Sequence, residues 1–150
     1  MKNYSILITL LFFIVSCGYK PIYLSGKNNF DIEKIEISEE NRLNTLIKNS
    51  IKNLSNKDGE RKISLIINAK KTKNVVSKDK KGNSQLLMMS LSTNFQIYEN
   101  GKMESEKQFS ESFSYSNNSN KFDLSKYEKS IEKNLRDKII ENINIYLVSF

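Results

Sequence analysis

Leu87, Met89, Leu91, Thr93, Phe95 and Ile97 alternate with Ser90, Ser92, Asn94 and Gln96, the two-residue period of a strand with one apolar and one polar face. Ile63, Leu65, Ile67 and Ala69 alternate in the same way, and Phe30, Ile32, Ile35 and Ile37 form an imperfect strand ahead of them. Between these two, Leu43, Leu46, Ile47, Ile51 and Leu54 recur at helical spacing, which predicts one apolar stripe. Ser38 is the expected N-cap of that helix, with Glu39 and Glu40 in a first turn whose dipole favours acids. The segment "SNKDGE" stops it. Strand, helix and strand in this order predict a right-handed parallel crossover.

After the long central strand, "ENGK" turns the chain and Met103, Phe109, Phe113 and Tyr115 return on alternate positions. A two-residue Asn-Gly turn would set Ile97 opposite Glu104 and Leu91 opposite Ser110, mixing the faces. A three-residue loop of Glu99, Asn100 and Gly101, with Gly101 left-handed, pairs Ile97 with Met103, Leu91 with Phe109 and Leu87 with Phe113, and is the expected form. Lys107 and Glu111 fall on the inward side of this last strand, a device that protects a sheet edge. Ser125 and Glu128 have capping-box spacing, and Tyr127, Ile131, Leu135, Ile139 and Ile143 recur every four residues in a final helix. The order β-α-β-β-β-α predicts an α+β fold, a four-stranded mixed sheet with two helices packed on one face.

Composition narrows the chemistry. The chain of 150 residues is 38% hydrophobic, enough for a core in a single domain. It has 24 basic and 17 acidic residues, a formal charge of +7, and the excess is nearly all lysine. That balance suits an anionic partner such as phosphorylated lipid, a membrane surface or nucleic acid without choosing among them. Histidine is absent and Cys17 is the one cysteine, which removes Ser-His and Cys-His nucleophile pairs, thiolate clusters and His-containing zinc sites. The expected protein is therefore not an enzyme, with no catalytic residue, no metal and no cofactor.

At the N-terminus Lys2 precedes an apolar run at residues 6–15, interrupted only by Thr9. The run is shorter than the ~20 residues that span a bilayer and follows a basic residue, as a secretory signal does. "IVSC" then ends the run at Cys17 and resembles the lipobox of bacterial lipoproteins, in which the cysteine becomes the first mature residue and carries lipid on sulfur and amine. A free cysteine beside an ordinary signal peptide is the other reading. The expected organisation is a cleaved lipoprotein signal peptide at 1–16, a lipidated N-terminus and tether at 17–29, and one α+β domain at 30–150. Two or more acyl chains, unlike one, hold a protein on a membrane. Gly18 in place of an aspartate favours the outer membrane by resemblance to enterobacterial sorting.

"CGYKPIY" at residues 17–23, the order of elements, and "FSYSNNSNKFDLSKYEKSIEKNLRDKIIENI" resemble the LPS-assembly lipoprotein family, LptE, in its alphaproteobacterial form. The likeness spans most of residues 17–147, and its specific parts are the two ends. It implies an outer-membrane lipoprotein that plugs the lipopolysaccharide-inserting β-barrel LptD, helps it assemble and assists delivery of lipopolysaccharide to the outer leaflet. It also implies a sheet with two helices on one face, and no catalysis or nucleic acid. The alternative is a freestanding, lipid-anchored lipoprotein that binds lipid or serves a transport system.

Lys70, Lys71, Lys73, Lys78, Lys80 and Lys81 crowd the segment "AKKTKNVVSKDKKGN", expected as the loop between the second and third strands. They are the candidate lipopolysaccharide contacts, since lysines meet phosphates and carboxylates by charge-assisted hydrogen bonds; the other reading is a solvated loop. Ser90, Ser92, Asn94 and Gln96, with Gln108, Ser110, Ser112 and Ser114, make a polar face of little charge, suited to a wet barrel lumen or simply exposed.

Overall fold

The computed structural model describes residues 28–150. Its elements run β1 (Phe30–Ile37), α1 (Arg42–Lys52), β2 (Arg61–Lys78), β3 (Ser84–Glu99), β4 (Lys102–Ser116) and α2 (Lys121–Ser149). The strands form one sheet in the order β1-β2-β3-β4. β1 is parallel to β2 and the other pairs are antiparallel, the mixed sheet expected. Both helices cover one face, where Ile63, Leu65 and Ile67 of β2 and Phe95 and Ile97 of β3 are buried with Ile47 and Ile51 of α1 and Ile139 and Ile143 of α2. Each such side chain contributes about 1.5–3 kcal/mol by leaving water.

The imperfect spacing in β1 has a local cause. Ile32 pairs with Ile63 and Ile35 with Leu65, with a register shift between Ile32 and Lys34. A bulge at Glu33 absorbs the extra residue and returns the isoleucines to one face. Asn28 and Asn29, at the end of the expected tether, are bonded to the fold: Asn28 Nδ2 donates to the Leu54 carbonyl at 2.6 Å, and Asn29 O accepts the Arg61 N–H at 3.2 Å.

Both helix starts differ from expectation. Ser38, just past β1, stays bonded to the sheet through its N–H, which donates to Ile67 O at 3.1 Å, so Glu39 and Glu40 precede the helix. Asn41 is the cap, its Oδ1 accepting the Asn44 N–H at 2.9 Å. In α2 the cap is Asn120, whose Oδ1 accepts from the backbone of Phe122 and Asp123. Ser125 therefore lies inside the helix, and Glu128 is held by Tyr115 and Lys73 rather than by a capping box. Tyr127 is half exposed, stacked edge-on against Tyr115, and Leu124 takes the buried place.

From Ile131 to Leu147 the buried residues of α2 recur every four. Each such step turns the stripe by about 40° around the helix, so the partners change along it. Glu128 and Glu132 reach Lys73 and Lys71 of β2, whereas Asn142 and Tyr146 meet Glu111 and Phe109 of β4.

The β3–β4 hairpin also departs from the three-residue loop. Glu99 pairs with Lys102 across a two-residue turn in which Asn100 (φ 53°) and Gly101 (φ 77°) are both left-handed. Asn-Gly prefers this turn because its twist matches that of the strands. Face mixing is avoided one pair later: Tyr98 pairs with Met103 but Ile97 with Ser105, leaving Glu104 as a bulge. Phe109 therefore faces Thr93 rather than Leu91, Phe113 faces Met89 rather than Leu87, and Met103 lies half exposed opposite Tyr98. β4 is an edge strand, as its inward charges suggested. Lys107 Nζ sits 4.5 Å from the Tyr146 ring centroid, and Glu111 accepts a hydrogen bond from Asn142 at 3.1 Å.

A cationic cleft and a polar sheet face

The lysine-rich segment is not a loop. β2 continues to Lys78, laddered to β3 through Lys71↔Leu91, Lys73↔Met89 and Val75↔Leu87. Strand pairing with the long β3 overrides the low apolar content of this stretch. Only Lys80 and Lys81 lie in the connecting turn. At ~3.3 Å per residue, Lys70 and Lys78 stand about 26 Å apart, so the six candidate lysines are not one site.

Lys70 and Lys71 instead border a cleft of about 810 Å³ between the start of α1, β2 and α2. Leu43, Ala69 and Met89 supply its apolar surface, and Arg42, Lys129, Lys133 and Arg136 add cations to its rim, against the acids Glu39, Glu128 and Glu132. The positive end of the α1 dipole opens on the same space. Several of these charges are already committed. Lys71 Nζ is 2.6 Å from Glu132 Oε2, and Lys133 and Arg136 both pair with Asp137. No ion pair holds Arg42, Lys70 or Lys129 among the described residues, which leaves them to meet an anion.

Lys73 stands outside the cleft lining, in a chain of bonds with Glu128 and Tyr115. Glu128 Oε1 accepts from Lys73 Nζ at 2.9 Å and from the Tyr115 hydroxyl at 2.7 Å. Burial alone would raise the Glu128 carboxyl, but these two bonds together with the charges of Lys73 and Lys71 outweigh it and hold it below its ordinary value. Burial, and then the neighbouring carboxylate, push the Tyr115 hydroxyl upward, so it stays protonated as a donor. Lys78, Lys80 and Lys81 are not part of this cluster, and Cys17 lies outside the described residues.

Sequence reasoning missed the α2 contribution, although a signal was present: Lys129, Lys133 and Arg136 are spaced four and three apart, on one helix face. Arg42 carried no such signal, since its place depends on how α1 meets β2.

On the side of the sheet away from the helices, Ser90 faces Ser112, Ser92 faces Ser110, Asn94 faces Gln108 and Gln96 faces Glu106. Gln96 and Asn94 both donate to Glu106 Oε1, at 3.0 and 2.8 Å, and hold its carboxyl below the ordinary range. This surface, mostly hydroxyls and amides, can hydrogen-bond a polar partner over a wide area at a smaller desolvation cost than a face built of charges.

Solved bacterial lipoproteins share this architecture. Rare lipoprotein B from Shewanella oneidensis aligns with a TM-score of 0.54 at 14% identity, covering 77% of this chain and 97% of that one. A minor lipoprotein from Acinetobacter baumannii aligns at 0.58 and 12% identity, over 81% and 92% of the two chains. Lipoprotein B from Nitrosomonas europaea aligns at 0.53 and 13% identity, over 85% and 88%. At these identities the likeness is one of fold. No protein-family model matches the chain, and no curated protein sequence does.

Proposed function

We propose that this chain is an outer-membrane lipoprotein, anchored through acylated Cys17, that acts as plug and assembly factor for an LptD-like β-barrel and helps deliver lipopolysaccharide to the outer leaflet. The observation that carries this reading is the coincidence of a lipobox and "CGYKPIY" in the sequence with a fold shared by several bacterial lipoproteins, rare lipoprotein B among them. The polar sheet face, low in charge, fits the wet lumen of a barrel. The cleft bordered by Arg42, Lys70 and Lys129 fits the phosphates and carboxylates of lipopolysaccharide. In this role the chain binds and positions without catalysis, and it takes neither cofactor nor nucleic acid.

The alternative, a freestanding lipid binder, calls for an apolar cavity that receives acyl chains, and the cleft is rimmed by charge instead. Affinity purification through a C-terminal tag from gently solubilised outer membranes tests the plug reading. A large β-barrel protein is expected to copurify in stoichiometric amount, and its absence would refute the reading.

A further inference from the structure

β2 outruns its neighbour β1. The parallel ladder ends at Ile37↔Ile67, with the Ser38 N–H donating to Ile67 O. One step further, the Ala69 N–H is taken by Asn44 Oδ1 at 2.7 Å. In an extended strand the N–H and C=O of one residue point to the same side, and that side alternates along the chain. The backbone groups of Lys71, Lys73 and Val75 therefore point where those of Ile67 and Ala69 point, and no described strand lies there. Their other side stays fixed by β3.

This free edge is pre-shaped. Its far end is tied by a turn in which Asp79 Oδ1 accepts the N–H groups of Lys81 and Asn83, each at 2.8 Å. Residues 70–78 are all exposed, and Val75 and Val76, the latter bulged out of the β3 register, are about half exposed. The opposite edge of the sheet is guarded differently, by the bulge at Glu104 and by the inward Lys107 and Glu111 bound to α2.

Charge selects the occupant. Lys70, Lys71, Lys73 and Lys78 would oppose the same lysines of a second copy, a device that keeps edges apart. Residues 1–27 of the chain contain Lys2, Lys20 and Lys27 and no acid, so they are no better matched. Lys71 and Lys73 each use one donor on Glu132 and Glu128, and an ammonium has three.

We propose that the free edge of β2 receives an extended acidic segment of another protein by strand addition. The main chain of that segment bonds to Lys71, Lys73 and Val75, and its carboxylates lie beside Lys70 and Lys73. The inference goes beyond the plug reading, because it specifies the edge and the chemistry of the incoming strand and requires no barrel.

The test uses the full chain in detergent micelles and a short capped peptide alternating glutamate and valine, with its lysine-for-glutamate counterpart, read by residue-resolved amide exchange. The acidic peptide is expected to slow exchange at Lys71, Lys73 and Val75 about tenfold or more while leaving Lys70 and Thr72, already bonded to β3, unchanged. Val75→Pro removes an outward N–H without touching the β3 ladder and is expected to abolish the effect; Val75→Thr retains it. Equal slowing by the lysine peptide, no slowing at about millimolar peptide, or undiminished binding by a folded Val75→Pro chain would overturn the proposal. Slow exchange at these amides before peptide is added would also overturn it, by placing residues 1–27 or a second copy on the edge. Copurification of a barrel plays no part in this result, so either reading can fail alone.

Discussion

Asn44 Oδ1 accepts the backbone N–H of Ala69 at 2.7 Å, from a side chain with no exposed surface. Its Nδ2 donates to Glu39 O at 2.9 Å. One buried amide thus satisfies the strand edge where β1 ends and fixes the approach to α1, the same junction that places Arg42 on the cleft. Asn44→Ala leaves the Ala69 N–H buried without a partner and is expected to cost about 2–3 kcal/mol, seen as a lower urea midpoint at unchanged slope.

The Lys73–Glu128–Tyr115 chain makes stability depend on acid. Glu128 is held below its ordinary value in the folded chain, so its contribution is present above the ordinary glutamate range and fades as pH falls toward the folded value. Wild-type stability is expected to decline below about pH 4.5. Glu128→Gln should shrink that decline by about 0.5–1.5 kcal/mol, a modest figure because Lys73 is half exposed. Glu99, Glu106, Asp79 and Asp137 shift in the same direction, so the slope flattens without vanishing. Denaturant titrations at a series of pH values measure the difference.

Gly59 lies directly against β1. A Cβ there would come within 2.4 Å of the Phe30 carbonyl carbon, and backbone cannot rotate aside. Gly59→Ala is expected to lower stability by about 1–3 kcal/mol, with the loss visible as faster amide exchange across β1.

Charge reversal in the cleft separates it from the lysines of the turn. Arg42→Glu with Lys129→Glu breaks no ion pair among the described residues, and Glu at the first turn of α1 suits its dipole. The pair is expected to weaken binding to lipopolysaccharide micelles about tenfold, against less than about twofold for Lys80→Glu with Lys81→Glu, a gap that narrows at high salt. Equal losses would point to diffuse charge rather than the cleft.

Cys17→Ser is expected to abolish labelling by radioactive fatty acid and to leave uncleaved precursor. Unchanged labelling would overturn the anchor.

Alternation in β3 and the four-residue repeat in α2 were strong enough to place the sheet, both helices and their common face, because each pattern spans many residues and burial reads it directly. Local punctuation was less faithful. Ser38, Ser125 and the Glu99–Gly101 loop all had acceptable local chemistry, yet Asn41, Asn120 and the bulge at Glu104 were used instead. Each of these was chosen by the register of a neighbouring strand or by the start of a packed helix, which lie far away along the chain.

The α+β layer, the edge character of β4 and the expectation of a lipid anchor at Cys17 follow from local pattern, since periodicity, inward charges and a lipobox are each read within a short stretch of chain. Tertiary structure alone decided what the lysines are. Pairing with β3 turned four of the six candidates into strand residues, bound Lys71 and Lys73 to Glu132 and Glu128, and joined Lys70 to Arg42 and Lys129. Residues 28 to 87 positions apart cannot be recognised as neighbours until the sheet and helices bring them together.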